Sequence, residues 1–133
     1  MKWTFNQGLV AFIILVCIEM YFDVNMYVCN NVEAKLSIIL HHIISIYGMF
    51  GSILLGYYKL HLCFMIFIFI EQSLLGHCVL TKYTQSKCKE NTKWHNDFLT
   101  HFVYKTGSKE KPPYVIGLCI FMIIFDSYMI YKG

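Results

Sequence analysis

Four apolar stretches constrain this chain more than any other feature of its sequence. Each approaches the roughly 20 residues that an α-helix needs to cross a bilayer. Because the membrane interior offers no water to backbone N–H and C=O groups, each stretch is predicted to be helical. The sequence predicts an all-α, integral membrane four-helix bundle that forms one transmembrane domain over residues 1–133. The predicted helices are residues 5–27, 37–58, 60–81 and 114–131.

The composition agrees with a membrane protein. Hydrophobic residues make up 57% of the chain and charged residues 14%, whereas soluble domains average about 45–50% and about 25%. The chain is rich in Ile, Phe, Tyr, Asn and Lys, which have A/T-rich codons. We therefore expect an A/T-rich genome, and a location in the mitochondrial inner membrane or in a viral or other intracellular membrane.

The first stretch has a second interpretation, as a secretory signal peptide. Lys2 would then form the charged region and Leu9–Val16 the apolar region. No small-x-small cleavage site follows, and the segment continues through Glu19 and Asp23. A retained helix is therefore predicted.

The lysines indicate how the helices are oriented. Residues 82–111 contain seven lysines, and loop one adds Lys35, whereas the opposite side has Lys2, Lys59 and Lys132. By the positive-inside rule, loops one and three are predicted to face the cytoplasm- or matrix-like side. A lysine-rich loop next to lipid favours anionic head groups as its partner, rather than nucleic acid.

Within that loop, aromatic residues recur every four positions at Trp94, Phe98 and Phe102. This spacing predicts a short helix over about residues 92–106 that lies in the membrane interface. A solvated loop with some aromatic contacts is the alternative.

The six cysteines contain no C-x-x-C pair, and most of them fall in apolar segments. A buried free thiol usually behaves as a small apolar residue, so no disulfide framework is predicted. Cys29 and Cys88 are the only plausible partners, because both fall in predicted loops.

Polar groups converge on the second and third helices. A carboxylate inside a membrane span costs about 2.5–3.5 kcal/mol on insertion scales, so it normally faces protein or water. Folding the two helices about Tyr58 places Glu71 opposite Ser45, and we expect Glu71 to contact His41 and Ser45. The candidate cluster consists of His41, His42, Ser45, Glu71, His77 and Cys78.

Several roles are open to this cluster. A buried Glu–His pair can simply set the helix register. A b-type haem held by His41 or His42 with His77, a metal ion and a proton or ion relay are the alternatives. No cofactor is predicted as the main interpretation. The common catalytic motifs are absent from the sequence, so no catalytic residue is predicted.

The outer two helices also contain acidic residues. Glu19 and Asp23 lie on one face of the first helix, and Asp126 shares a face of the fourth with Cys119, Met122 and Met129. Glu19 and Asp126 are within about two turns of their membrane surfaces, within reach of head groups or water. A structural role is predicted for both.

The assembled motifs resemble an uncharacterised family of small membrane proteins marked by a Cys-Pro-Leu-Thr sequence, a domain of unknown function. The matching pieces occur in the family's order: Leu40-His41, His61-Leu62, Glu71, Cys78-Val79-Leu80-Thr81 and Phe98-Leu99-Thr100-His101. Val79 replaces the motif's proline. The resemblance implies that His61, Thr81 and His101 belong to the same constellation as His41, Glu71 and Cys78, and it implies no activity.

Residues 37–56 are also similar to the haem-contacting helix of succinate dehydrogenase membrane anchors, although His42 stands where that family has an arginine. We therefore predict a small structural or accessory subunit of a larger membrane assembly, an organellar respiratory complex or a viral inner membrane. Its predicted partners are the lipid bilayer and other membrane protein subunits. A haem- or metal-binding redox protein is the alternative.

Overall fold

The computed structural model describes residues 4–23, 25–88 and 114–133. Helix is the only regular secondary structure in these ranges. The helices are α1 (Phe5–Phe22), α2 (Asn25–Val28), α3 (Val32–Leu55), α4 (Tyr58–Leu75), α5 (Val79–Lys87) and α6 (Tyr114–Lys132). The four long helices α1, α3, α4 and α6 are long and apolar enough to cross a membrane, which confirms the all-helical prediction with its four apolar spans. The interfacial helix predicted over residues 92–106, with Trp94, Phe98 and Phe102, lies outside the described residues.

Local capping sets where α1 and α3 begin. The Thr4 hydroxyl accepts a hydrogen bond from the backbone N–H of Gln7, and the Gln7 side chain accepts one from Thr4 N–H. At α3, the side chain of Asn31 accepts from Ala34 N–H at 3.1 Å. Both caps satisfy N–H groups that lack partners inside the helix. Asn31 therefore starts α3 before Ser37, where hydropathy alone placed the start.

The third predicted span is two helices rather than one. Gly76 has a left-handed backbone (φ 68°) and ends α4, and Cys78 is extended and starts α5. Glycine adopts this conformation without the steric cost that a side chain adds. The continuous helix predicted over residues 60–81 is therefore wrong. The first predicted span is shorter too, since α1 ends at Phe22 and Asn25–Val28 forms a separate turn.

The most central of the four long helices is α3. In the most apolar 18-residue stretch of α3, 39% of the residues are buried, against 17% in the corresponding stretch of each other long helix. Packing of α1 against α3 buries Val16, Ile46 and Met49. Between α4 and α6 lies a second apolar cluster, made of Met65, Cys119 and Met122. Two helix pairs, α1–α3 and α4–α6, thus supply most of the apolar packing.

The short helix α5 packs along the first turns of α3. The Thr84 hydroxyl donates to Ser37 Oγ at 2.9 Å, and Ser37 Oγ donates to the Leu80 carbonyl at 3.1 Å. Next to these contacts Cys29 and Cys88 form a disulfide, with their Cα atoms 5.9 Å apart. The prediction that no disulfide forms is therefore wrong, and the bridge joins the one pair that the sequence left plausible. The break at Gly76 gives the physical reason, because it lets α5 run alongside α3 and bring Cys88 to loop one.

Close approach of α1 to α3 depends on one small residue. A Cβ atom on Gly8 would lie 1.8 Å from the backbone oxygen of Leu54, so Gly8→Ala has to push the two helices apart. We expect this overpacking to lower the free energy of unfolding by about 1–3 kcal/mol. Gly117→Ala is the matched control, since nothing lies within 4 Å of a Cβ there. Equal stability of the two variants in a detergent unfolding titration would contradict this contact.

Candidate functional site

A triad of charged side chains joins α1 to α3. Nδ1 of His42 lies 3.0 Å from Glu19 Oε2, and Nε2 of the same ring lies 2.8 Å from Asp23 Oδ2. His42 and Asp23 are 0% exposed and Glu19 is 2% exposed. His42 stands ten residues into α3, about 15 Å along the helix axis from Val32. The triad is thus buried where the end of α1 meets the middle of α3.

The geometry of the triad fits an imidazolium. Ionised carboxylates only accept hydrogen bonds, and an imidazolium donates from both ring nitrogens. With both carboxylates ionised, the triad has a net charge of −1. Asp23 has a further role, because its Oδ1 accepts from the backbone N–H of Asn25 at 2.9 Å and so shapes the turn between α1 and α2.

The sequence alone does not bring these three residues together. The predicted cluster grouped His42 with Glu71, and Glu19 was expected within about two turns of its membrane surface. The four-residue spacing of the two carboxylates was the available signal, because it puts them on one helix face. Glu19 and Asp23 lie level with His42 along the helix axis because α3 starts as early as Val32. Hydropathy alone did not indicate this start.

A second buried pair joins α4 to α6. Nδ1 of His61 lies 2.5 Å from Asp126 Oδ2, and both residues are fully buried. Nε2 of His61 donates to the backbone carbonyl of Tyr47 on α3 at 2.9 Å. A carbonyl only accepts, so Nε2 carries a proton, and the contact of Nδ1 with Asp126 is the second hydrogen bond of the ring. His61 therefore connects three of the four long helices.

Two oxygens beside this pair have capacity for a further hydrogen bond. Asp126 Oδ1 and the Tyr47 hydroxyl are buried and without a hydrogen-bond partner among the described residues. The Tyr47 ring packs edge-on against His61, with 5.1 Å between the ring centroids. The Tyr47 ring also lies against Gly51. A Cβ atom on Gly51 would lie 2.5 Å from this ring, so the ring occupies the space that a side chain there would need.

The structure places the Glu71 carboxylate away from its expected partners. Glu71 Oε1 accepts a hydrogen bond from the backbone N–H of Val79 at 3.2 Å. His41 and Ser45 are not among its hydrogen-bond partners in the described part of the chain. Since Val79 is the first residue of α5, its N–H has no acceptor inside the helix. Glu71 thus closes the break between α4 and α5.

The remaining members of the predicted cluster are divided between this break and α3. Cys78 is the N-cap residue of α5, and its Sγ lies 3.5 Å from Nδ1 of His41. Half-buried His77 lies in the break itself, and half-buried Ser45 lies in the middle of α3. Of the six predicted residues, the structure pairs only His41 with Cys78 by a described hydrogen bond. The partners of His42 are Glu19 on α1 and Asp23 at the end of α1.

Glu71 offers a test of this new assignment. Glu71→Gln keeps an acceptor for Val79 N–H and is expected to be tolerated. Glu71→Leu removes the acceptor, and we expect a loss of about 0.5–1.5 kcal/mol, the usual net contribution of one hydrogen bond. Detergent unfolding titrations of both variants measure the difference. A much larger loss in Glu71→Gln would mean that the charge itself is required, contrary to a capping role.

Residues singled out by the family resemblance fall in different places. His61 belongs to the pair with Asp126, and Thr81 is buried on α5. His101 lies outside the described residues. The described members therefore do not form one constellation, because His61 lies in the first turn of α4 and Cys78 follows the end of that helix.

Binding of a haem iron or a metal ion would compete with the contacts already described. Both ring nitrogens of His42 and of His61 face oxygen atoms, so either histidine has to give up a partner before it can coordinate a metal. Within residues 4–23, 25–88 and 114–133, no group of three or more His, Cys, Asp or Glu side chains is arranged to hold a metal ion. The haem and metal interpretations stay predictions.

Comparison with known proteins leaves the function to be inferred from this geometry. No protein family model, curated protein or solved structure matches the chain.

Proposed function

We propose that this protein is a small integral membrane protein that acts as a structural or accessory subunit of a larger membrane assembly. The main support for this proposal is the pairing of charged side chains that lie in the long helices or directly at their ends. Glu19, Asp23 and His42 join α1 to α3, and His61 and Asp126 join α4 to α6. Buried charges paired in this way set which helices are neighbours and in which register.

The outward sides of the helices support the same role. Groups of large apolar side chains are exposed on α1 and α6, including Ile14 and Ile18 on α1 and Phe121 and Ile124 on α6. Such surfaces suit lipid tails or the helices of neighbouring subunits. On α1 they line a shallow groove formed by Ile13, Ile14, Cys17, Ile18, Tyr21 and Phe22. We propose this groove as the place where a neighbouring helix or a lipid chain packs.

The proposed locations are the mitochondrial inner membrane or a viral or other intracellular membrane, with anionic head groups as lipid partners. Two features of the chain favour opposite sides of the membrane for loops one and three. The lysine excess of residues 82–111 favours a cytoplasm- or matrix-like side for loops one and three. The disulfide between Cys29 and Cys88 favours an oxidising side.

The proposed subunit role is tested by measuring the size of the native assembly. We expect the protein extracted from its own membrane in mild detergent to migrate as a discrete complex well above the 15.7 kDa of one chain. Ile14→Trp with Ile18→Trp alters the α1 groove and is expected to reduce assembly while the protein stays in the membrane. Leu74→Trp is the control, on an exposed position of α4. A folded monomer in all mild detergents contradicts the proposal.

The rival function, a haem- or metal-binding redox protein, is tested on the same sample. An absorption spectrum with a Soret band, or a stoichiometric metal by elemental analysis, supports the rival. The contacts of His42 and His61 weigh against these two histidines as ligands. Of the histidines in the cluster predicted from the sequence, His41 and His77 would then be the candidate ligands.

A further inference from the structure

The Cys29–Cys88 bridge lies between the start of α3 and the end of α5. Cys29 precedes α3 and Cys88 follows α5, and the two are 3% and 9% exposed. Ala34, on the first turn of α3, packs with them and is fully buried. The bridge closes a loop of chain between residues that are 59 positions apart.

Contacts other than the bridge hold the two cysteines next to each other. Thr84 bonds to Ser37 between α5 and α3. One turn further on, Lys87 Nζ lies 2.7 Å from Glu33 Oε2, and that carboxylate raises the pKa of the Lys87 ammonium. Tyr83 also donates to Glu33, at 3.1 Å. These contacts align α5 with α3, so the Cα separation of 5.9 Å falls in the range typical of disulfides.

We infer that Cys29 and Cys88 are an oxidative modification site, and that loops one and three therefore face an oxidising compartment rather than the cytoplasm- or matrix-like side. The partner is a thiol–disulfide exchange protein on that side, or an equivalent small-molecule disulfide. The orientation depends on the membrane insertion proposed above, whereas the existence of the bridge does not.

The reaction is two successive exchanges. The thiolate of one cysteine attacks a sulfur of the donor disulfide, which forms a mixed disulfide and releases one donor thiolate. The thiolate of the second cysteine then attacks the protein sulfur of the mixed disulfide, which forms the Cys29–Cys88 bond and releases the second donor thiolate. Two protons leave the protein thiols and two return to the donor thiolates. The protein is oxidised by two electrons and the donor disulfide is reduced by two.

Lysine distribution and disulfide chemistry conflict here, and the chemistry is the stronger constraint. The positive-inside rule is a bias of helix insertion that is set by lysine and arginine counts. A disulfide instead requires an oxidant, and glutathione and thioredoxin systems keep cytosolic thiols reduced. Two spans separate loop one from loop three, so the two loops share a side of the membrane, and the bridge identifies that side.

Counting thiols tests the bridge. Cells that express the full chain are quenched in acid, and the denatured protein is labelled with a polyethylene-glycol maleimide before or after reduction. We expect four adducts before reduction, on Cys17, Cys63, Cys78 and Cys119, and six after it. Cys17→Ser with Cys63→Ser should keep the gain of two adducts, and Cys29→Ser with Cys88→Ser should abolish it. Six adducts on the unreduced wild type overturn the inference.

Glycosylation tests the side, in cells that insert the chain into the endoplasmic reticulum. An Asn-Ser-Thr acceptor placed between Gly107 and Ser108 reports on loop three, and one placed after Gly133 reports on the opposite end. We expect an endoglycosidase-sensitive gain in mass only from the first. Glycosylation of the second acceptor alone overturns the orientation. Since neither readout depends on partner subunits, either can fail while the proposed function stands.

Discussion

Replacing His42 with leucine is expected to lower the free energy of unfolding by about 3–5 kcal/mol, because it breaks a buried ion pair and leaves the charge of its partners uncompensated. Here two carboxylates, Glu19 and Asp23, stay buried at less than 3% exposure once the imidazole between them is gone. A denaturant titration in mild detergent measures the loss. His77→Leu is the matched control, since it makes the same substitution at a half-buried histidine in the break after α4.

The same triad predicts a recovery when the charges are removed together. Glu19→Leu, Asp23→Asn and His42→Leu in one chain remove every charge of the triad, and Asn keeps an acceptor for the N–H of Asn25. Replacing a whole buried ion-pair network with uncharged groups is often neutral or stabilising, so the triple variant should regain most of the stability lost in His42→Leu. If it is less stable than His42→Leu, the triad contributes net stability and this account of its energetics is wrong.

Asp126→Leu is expected to have the second large effect, again about 3–5 kcal/mol. It leaves His61 buried with its Nε2–H on the Tyr47 carbonyl and with Nδ1 facing an apolar side chain. Asp126→Asn should cost much less, about 0.5–1.5 kcal/mol. With its proton on Nε2, a neutral imidazole can accept a hydrogen bond on Nδ1 from the Asn amide. The pairing with His61 is therefore kept without charge.

Ser127→Leu controls for the introduction of leucine next to this position, because Ser127 is exposed and its hydroxyl donates within α6 to the Ile123 carbonyl. We expect it to be close to wild type in the same titration. Asp126→Leu with wild-type stability would show that the His61–Asp126 contact does not hold α4 to α6. An equal and large loss in Asp126→Asn would indicate instead that the charge at this position is essential.

Much of the candidate site could be recognised from the sequence as a set of residue types, although not as a set of contacts. Glu19, Asp23, His42, His61 and Asp126 all stand out as ionisable groups in apolar stretches. Their pairings connect residues that are 19 to 65 positions apart. Glu71 was assigned to His41 on the assumption of a continuous helical hairpin, and Gly76 breaks that helix.

The helical class and the four apolar spans follow from the sequence alone, because the hydropathy of about 20 consecutive residues is a local property. Capping by Thr4 and Asn31 is local as well. Which carboxylate meets which histidine, and whether Cys29 comes close enough to Cys88 to bond, depends instead on how the helices pack. Those contacts depend on where each helix ends and how far it is shifted along its neighbour. A shift of one residue moves a side chain 1.5 Å along the axis and about 100° around it, enough to replace its partner.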